Sequence, residues 1–359
     1  MSTVIADPTA PSRPAGPGAR LLKALATQRT VLLAVLLVLV VAIMSFLSAA
    51  GYMSGDYNPD YMSAALINAV PLAMLALAEL VVILSGRGGI DLSVGAIVSL
   101  TGMIFGFTYG LWGWSLPASL LAAVLFGALC GAVNGALVAY LGFPPLIATL
   151  ATFYAYKSIA IVINDQRPIS TPPIQEFYST AKAVELPVIG HNIPNIPLGL
   201  FTFLIPTALA VWFLLARTPF GRRIFAIGTN NTAAQWAGID TRRTRFTAYL
   251  ISGLISGLVA VVTVAQFASA RPDAGVSGNG MALPAITIAV LGGVAITGGI
   301  GRVSGVILAA LLVVWLNAGL LLLFAGNVGA QIQLFALGTV LILAALLNGI
   351  ATRRYGGTA

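Results

Sequence analysis

Charge is what this sequence has least of. Lysine, arginine, aspartate and glutamate make up 8% of its 359 residues, against about a quarter in an ordinary soluble domain. A globule with so few charges has no means of covering itself with a water-compatible surface. Its 58% of apolar residues instead fits lipid as the solvent. Cysteine is nearly missing: Cys130 stands alone inside an apolar run, so no disulfide within the chain is possible and the thiol reads as a small hydrophobe. Histidine occurs once, at His191, and leaves no Cys/His cluster to hold a metal. The three lysines, Lys23, Lys157 and Lys182, follow Leu, Tyr and Ala. A Gly-x-x-x-x-Gly-Lys-[Ser/Thr] loop is thereby excluded, and with it an ATP-phosphate cradle of that kind.

What is present is a succession of apolar runs. About 20 predominantly apolar residues cross the hydrocarbon core as a helix. The runs near 31–50, 63–84, 91–111, 117–139, 146–163, 199–216, 246–268, 284–298, 303–324 and 331–350 predict an all-α integral membrane protein of about ten spans. Residues 1–29 read as a disordered basic tail, 30–350 as the membrane domain and 351–359 as a second tail. Ser48-Ala49-Ala50 mimics a signal-peptidase site, but the run before it is too long for a signal-peptide core, so the first helix is expected to be retained.

The net charge of +8 does not outline a nucleic-acid footprint, because the basic residues sit between the runs. With both ends inside, 14 of the 18 basic residues fall on the cytoplasmic side, including Arg87, the six arginines from Arg217 to Arg245, and Arg302. Arg167, Lys182 and Arg271 fall outside with six of the ten acids. This is the positive-inside bias, and removing any one span would destroy it downstream. Residues 164–198, rich in proline and containing His191, form the external connection, while 217–245 form the large cytoplasmic loop. A lone loop histidine is ordinarily solvated and without a role.

That basic loop has the punctuation of a docking element. Pro219 starts a helical turn, Gly228 and Gly238 bracket short elements, and small Ala233 and Ala234 permit close approach by another surface. The plainer alternative is that its arginines only fix topology and bind anionic headgroups. Within the spans, Glu79 and Lys157 are the clearest ionisable groups, and such groups are expensive in lipid. Glu79 lies about 24 Å from the outer end of its run and Lys157 about 9 Å, which argues against a direct pair. Lys157 is placed to snorkel outward. Asp91 reads either as the cap of the next helix or as part of an exit path. Asn134 reads either as an interhelical hydrogen bond or as a contact on a solute path. Tyr154 and Tyr156 read as core packing or as a platform for a sugar ring. Gly127, Gly131 and Gly135, four apart, present a flat face for close helix packing. Trp112 and Trp114 fit an interfacial belt.

Four stretches carry a family resemblance. They are Gly88-Gly-Ile-Asp91-Leu-Ser93-Val-Gly95; Gly131-Ala-Val-Asn134-Gly135 with Pro144-Pro145-Leu-Ile-Ala-Thr149; the loop from Arg217 to Asp240; and Ala289-Val-Leu-Gly292-Gly293 through Gly298-Gly299-Ile-Gly301-Arg302-Val-Ser304-Gly305. In this order they resemble the ribose-type permeases of bacterial ABC importers, over residues 60–350. The resemblance implies an ATPase-coupling role for Phe220, Gly221, Arg222, Gly228, Asn230, Ala233, Ala234, Gly238 and Ile239. It also implies an inverted repeat of spans 2–5 and 7–10, multi-pass placement in the bacterial inner membrane, and a second permease copy or paralogue. An external solute-binding protein would deliver a monosaccharide or sugar-like solute, and separate ATPase subunits would use ATP and Mg, with no cofactor in this chain. Two departures stand out: Lys157-Ser158 replaces the family's usual Arg-Gly, and Gly86-Arg87 looks like an insertion before Gly88.

Two rivals fit the composition. An intramembrane serine enzyme is suggested by Gly275-Val-Ser277-Gly278, but His191, the sole candidate base, falls outside the membrane. An ATP-independent secondary transporter or channel for a small polar solute also uses many helices with intramembrane polar groups. Proteoliposomes containing this chain alone separate the two transport readings: the importer reading expects no solute flux without an ATPase, and measurable flux would favour the rival.

Overall fold

In lipid a backbone has no water to bond, so each apolar run satisfies its own N–H and C=O groups as a helix. The computed structural model describes residues 29–181, 183–184, 196–277, 280–324 and 326–355. The predicted tails, apart from their membrane-proximal residues, lie outside these, as do Lys182 and His191. The helices are α1 (Arg29–Ala49), α2 (Pro59–Leu84), α3 (Val94–Phe105), α4 (Leu116–Gly135) and α5 (Pro145–Val162). They are followed by α6 (Pro172–Ala181), α7 (Ile205–Arg217), α8 (Pro219–Thr229), α9 (Asn231–Trp236) and α10 (Thr241–Phe267). The last three are α11 (Ala282–Leu291), α12 (Val303–Leu323) and α13 (Asn327–Tyr355). Single π-helical stretches at Gly106–Leu111, Ala136–Tyr140 and Leu200–Leu204 extend α3, α4 and the start of α7.

Among the described residues, eight helices are long and apolar enough to cross a membrane. They match the expected runs closely, and α13 covers the last one. The expected span at 284–298 is corrected. Its helix, α11, has only 10 residues, or about 15 Å. Gly293, Gly298 and Gly299 take left-handed backbone immediately after it, with φ of 92°, 95° and 74°. The segment before α11 accounts for the rest of the depth. Ala270 packs on Gly106 and Gly275 packs on Gly95, two points about 16 Å apart along α3. Residues 270–275 therefore descend beside α3 as a run of turns, in which the Ala274 N–H donates to the Arg271 carbonyl at 3.2 Å. Such irregular backbone is tolerated in a bundle where protein, not lipid, surrounds it; here the Gly275 N–H is met by Ser99 Oγ at 2.9 Å.

The closest packing is between α4 and α10. A Cβ on Gly127 or Gly131 would collide with backbone of Gly253 or Tyr249, and one on Gly253 would collide with Gly127. The flat glycine face expected on α4 thus meets a matching one on α10. Helix α2 is buried almost without interruption from Ala69 to Leu84, whereas α1 is peripheral and inserts Met44 against Gly319 of α12.

Two ends are defined. At one, residues 85–93, 217–240 and 292–302 converge around Gly86, Gly228 and Gly299. At the other, Ile169 and Ala270 exchange two backbone hydrogen bonds of 2.9 Å. There α6 lies beside a short antiparallel pair, Ala183–Val184 with Ile196–Pro197. The proline-rich connection thus contains a helix, whose Ile174 is buried against Gly110.

Gly131→Leu places a side chain where the α10 backbone lies. Overpacking of about 3 kcal/mol or more is expected, read as loss of the monodisperse purified protein and a lowered Tm in detergent, whereas Gly338→Ala, at a helical site with open space around it, should change Tm far less.

Candidate functional site

The residues singled out within the membrane do not form one site. Glu79, Asp91 and Asn134 come together; Tyr154, Tyr156 and Lys157 do not join them. The gathering starts with the turn after α2. The chain leaves the helix at Leu84 and turns through Gly86–Gly89, then passes back inward as extended chain. Asp91 therefore ends beside Glu79, about 8 Å inside the end of α2. The Asp91 N–H points at Glu79 Oε2, at 3.3 Å. Asp91 Oδ1 accepts from the Ser93 N–H at 3.0 Å and the Ser93 hydroxyl at 2.6 Å. The expected cap is corrected in its detail: Asp91 closes the turn leading to α3 and does not bond the helix's first-turn amides beyond Ser93.

Its remaining capacity is taken up by other helices. Asn134 of α4 donates Nδ2 to Asp91 Oδ1 at 3.3 Å and to Ser93 Oγ at 2.7 Å. Ser252 of α10 donates to Asp91 Oδ2 at 3.3 Å. Glu79, Asp91, Ser93, Asn134 and Ser252 are all fully buried. Of the two readings of Asn134, this geometry is the interhelical hydrogen bond. Glu79 Oε1, Asn134 Oδ1 and the Tyr249 hydroxyl are buried without a hydrogen-bond partner, so the cluster is only partly satisfied. Among the described residues no three His, Cys, Asp or Glu side chains gather to hold a metal.

On α5 the two tyrosines diverge. Tyr156 is buried and donates its hydroxyl to the Cys130 carbonyl at 3.0 Å, whereas Tyr154 is 60% exposed and stacks edge-on with Phe153. Residues two apart on a helix face different sides, so they do not form a joint platform. Lys157 lies 5.8 Å from the Phe153 ring centre and makes no ion pair with Glu79; among the described residues the one ion pair is Arg271–Asp273, at 3.4 Å.

The basic loop folds as two short helices standing on the bundle. Thr218 opens α8, Asn230 caps α9 by accepting from the Ala233 N–H at 2.9 Å, and Asp240 caps α10 by accepting from the Arg243 N–H at 2.9 Å. Gly238 closes α9 with φ of 80°, a left-handed turn that glycine adopts without penalty. The residues of the loop then divide. Gly221 packs on the Leu215 carbonyl, and Gly228 lies against the Leu84 carbonyl and Gly299 N, where no Cβ fits. Ala234 is 5% exposed, and Phe220 and Ile239 are half-buried. Arg222, Asn230, Ala233 and Gly238 face outward. So does Trp236, at 88% exposure, which sequence reasoning passed over. Its signal was a large aromatic among small polar residues of a short helix.

Sequence reasoning also missed Ser252 and Tyr249 of α10. Their distance along the chain from Asp91 hid them, although Ser252 is conspicuous as a hydroxyl in an apolar run.

Comparison with known proteins gives the family. A family described as branched-chain amino acid transport system / permease component matches residues 61–347. The autoinducer 2 import system permease protein LsrD of Salmonella paratyphi B is 34% identical over 284 residues, covering 79% of this chain and 82% of that relative. The LsrD proteins of Yersinia enterocolitica and Photorhabdus laumondii are each 33% identical over 284 residues, covering 79% of this chain and 82% and 81% of those relatives. No solved structure matches.

Asp91→Ala would strand the Ser93, Asn134 and Ser252 donors in a buried site. Losing an acceptor that takes several buried hydrogen bonds is expected to cost about 3 kcal/mol, read as a fall in Tm and in membrane yield. Asp91→Asn keeps one oxygen acceptor and should lose less.

Proposed function

The chain belongs to the family described as branched-chain amino acid transport system / permease component, and from that premise we propose that it is the membrane-spanning permease subunit of an ABC importer for a monosaccharide or sugar-like solute. The sugar class rests on the four sequence stretches and on the curated relatives, which are named for autoinducer 2 import. The protein is a multi-pass resident of the bacterial inner membrane. Eight long helices, α13, and the crossing made by residues 270–275 with α11 support a count of ten. The charge bias supports both ends inside. The octets Gly88–Gly95 and Gly298–Gly305 share Gly-Gly-Ile at their start and Gly at their end. Each final glycine packs on another backbone, Gly95 on Gly275 and Gly305 on Gly292. Both octets lie at the same, basic end, so they are not inverted counterparts, and the inverted repeat of spans 2–5 and 7–10 rests on the family resemblance.

The observation that carries the mechanism is the α8–α9 projection at the basic end. It is rigidly seated, because Gly228 allows direct backbone contact with the turns at 84–86 and 298–299. It also presents an unpartnered Trp236 beside Ala233. Tryptophan is the side chain most often found to anchor an interface. We assign this surface to an ATPase subunit, which would use ATP and Mg and push on the bundle. An external solute-binding protein would deliver cargo, and a second permease copy or paralogue would complete the path. Exposed Tyr154 and half-buried Lys157 on α5 are candidates to line it. The buried Asp91 cluster holds helices together beside it.

The docking test needs outward-facing positions, since a bulky residue at Gly228 or a charge at Ala234 would damage the chain itself. Trp236→Glu and Ala233→Arg are expected to abolish co-purification of the ATPase while membrane insertion and Tm persist. An intact complex in both variants would refute the docking surface.

A further inference from the structure

The arginines between residues 217 and 245 look alike in the sequence and differ in the structure. Arg217, Arg222, Arg223, Arg242 and Arg243 are exposed, as topology-setting charges should be. Arg245, one turn into α10, is 3% exposed. Burying a guanidinium is costly unless its donors are met. One Arg245 nitrogen, Nη2, donates to the Ser85 carbonyl at 3.1 Å and to Asn231 Oδ1 at 3.0 Å. Among the described residues no carboxylate forms an ion pair with it, and its Nε is buried without a hydrogen-bond partner, so the two neutral acceptors of Nη2 are what hold the charge in place.

Those acceptors belong to different parts of the fold. Asn231 is the first residue of α9, within the projection, while Ser85 opens the turn that carries Asp91 back toward Glu79. Arg245 itself is on α10, whose Ser252, two turns deeper, bonds Asp91. The same turn is gripped from the other side, since Gly228 at the end of α8 contacts Leu84 and Gly86 backbone and the Gly299 N–H donates to the Leu84 carbonyl at 3.2 Å. A shift of the projection must therefore either break the bonds of Arg245 or carry the Ser85–Asp91 turn with it. Breaking them would leave a buried charge unmet.

We infer that Arg245 is a positioning residue that transmits movement of the α8–α9 projection to the buried Asp91 cluster. The inference rests on the projection being the ATPase docking surface. Its place in the cycle is between nucleotide-driven motion at the membrane face and rearrangement of the helices α2, α4 and α10. A static staple would have the same bonds, but its loss would not change how the cluster responds to nucleotide.

The test uses the permease with its ATPase subunits in lipid nanodiscs, in a Cys130→Ala background carrying Ser252→Cys. The readout is the rate of maleimide labelling at that cysteine, with and without AMP-PNP and Mg. AMP-PNP is expected to change the rate at least about fivefold when Arg245 is present, the lower range of ordinary allosteric coupling. In Arg245→Gln that response is expected to vanish while the ATPase still co-purifies, and Arg245→Lys, which reaches one acceptor with a charged donor, should restore part of it. If Arg245→Gln fails to insert, Asn231→Leu removes the acceptor on α9 alone and is expected to blunt the response likewise.

A nucleotide response that persists in these variants overturns the inference, as does a parent complex with no response. Loss of ATPase binding in Arg245→Gln also overturns it, by making the residue a shaper of the docking surface. Failure of the ATPase to bind the parent chain would instead refute the importer reading itself.

Discussion

Backbone-to-backbone contact between α4 and α10 is the constraint on which the rest of the structure depends. Lipid gives helices no hydrophobic reason to associate, so close approach and interhelical hydrogen bonds must do it. Gly127 and Gly131 on one side and Gly253 on the other let the two backbones touch. That proximity brings Asn134 and Ser252 within hydrogen-bond distance of a single carboxylate, Asp91. A carboxylate so deep in a bundle has no water to turn to, and these donors take the place of water. The glycine seam and the polar cluster are thus one device, in which small residues create the proximity and the hydrogen bonds fix the register.

The same logic recurs at the basic end with different chemistry. Gly228, Gly86 and Gly299 let three chain turns meet without side chains between them, and Arg245 ties the meeting point to α10 through two neutral acceptors. The result is a projection that cannot slide independently of the bundle. In the importer proposed above, such seating would pass a push on the projection to the bundle. The outward face of α9, with Trp236, is where contact is available; its inward face is committed to the bundle.

The crossing by residues 270–291 shows how a bundle of this kind accommodates a short helix. A run of turns beside α3 supplies the first half of the depth and α11 supplies the second. It is stable only because other helices enclose it and because Ser99 meets the Gly275 N–H. A hydropathy count reads the apolar residues correctly there and misreads their conformation, since composition sets which solvent a segment enters and neighbours set how its backbone is satisfied.

Much was determined by the sequence alone: a membrane protein, the runs that cross it, the separation of charge between two ends, a glycine face on α4 and the four stretches that place the family. These follow from local properties, namely hydropathy over about 20 residues, charge between runs and the spacing of small side chains. Tertiary structure decided which polar groups meet. Asp91 is 43 residues from Asn134 and 161 from Ser252 along the chain, and Arg245 is 160 from Ser85. No local rule marks such partners. It also decided that Arg245 is buried while its neighbouring arginines are not, and that Gly228 and Ala234 face the bundle while Ala233 and Trp236 face away. The physical reason is that a polar residue in an apolar setting must find a partner, and only the packed arrangement of helices determines which one is within reach.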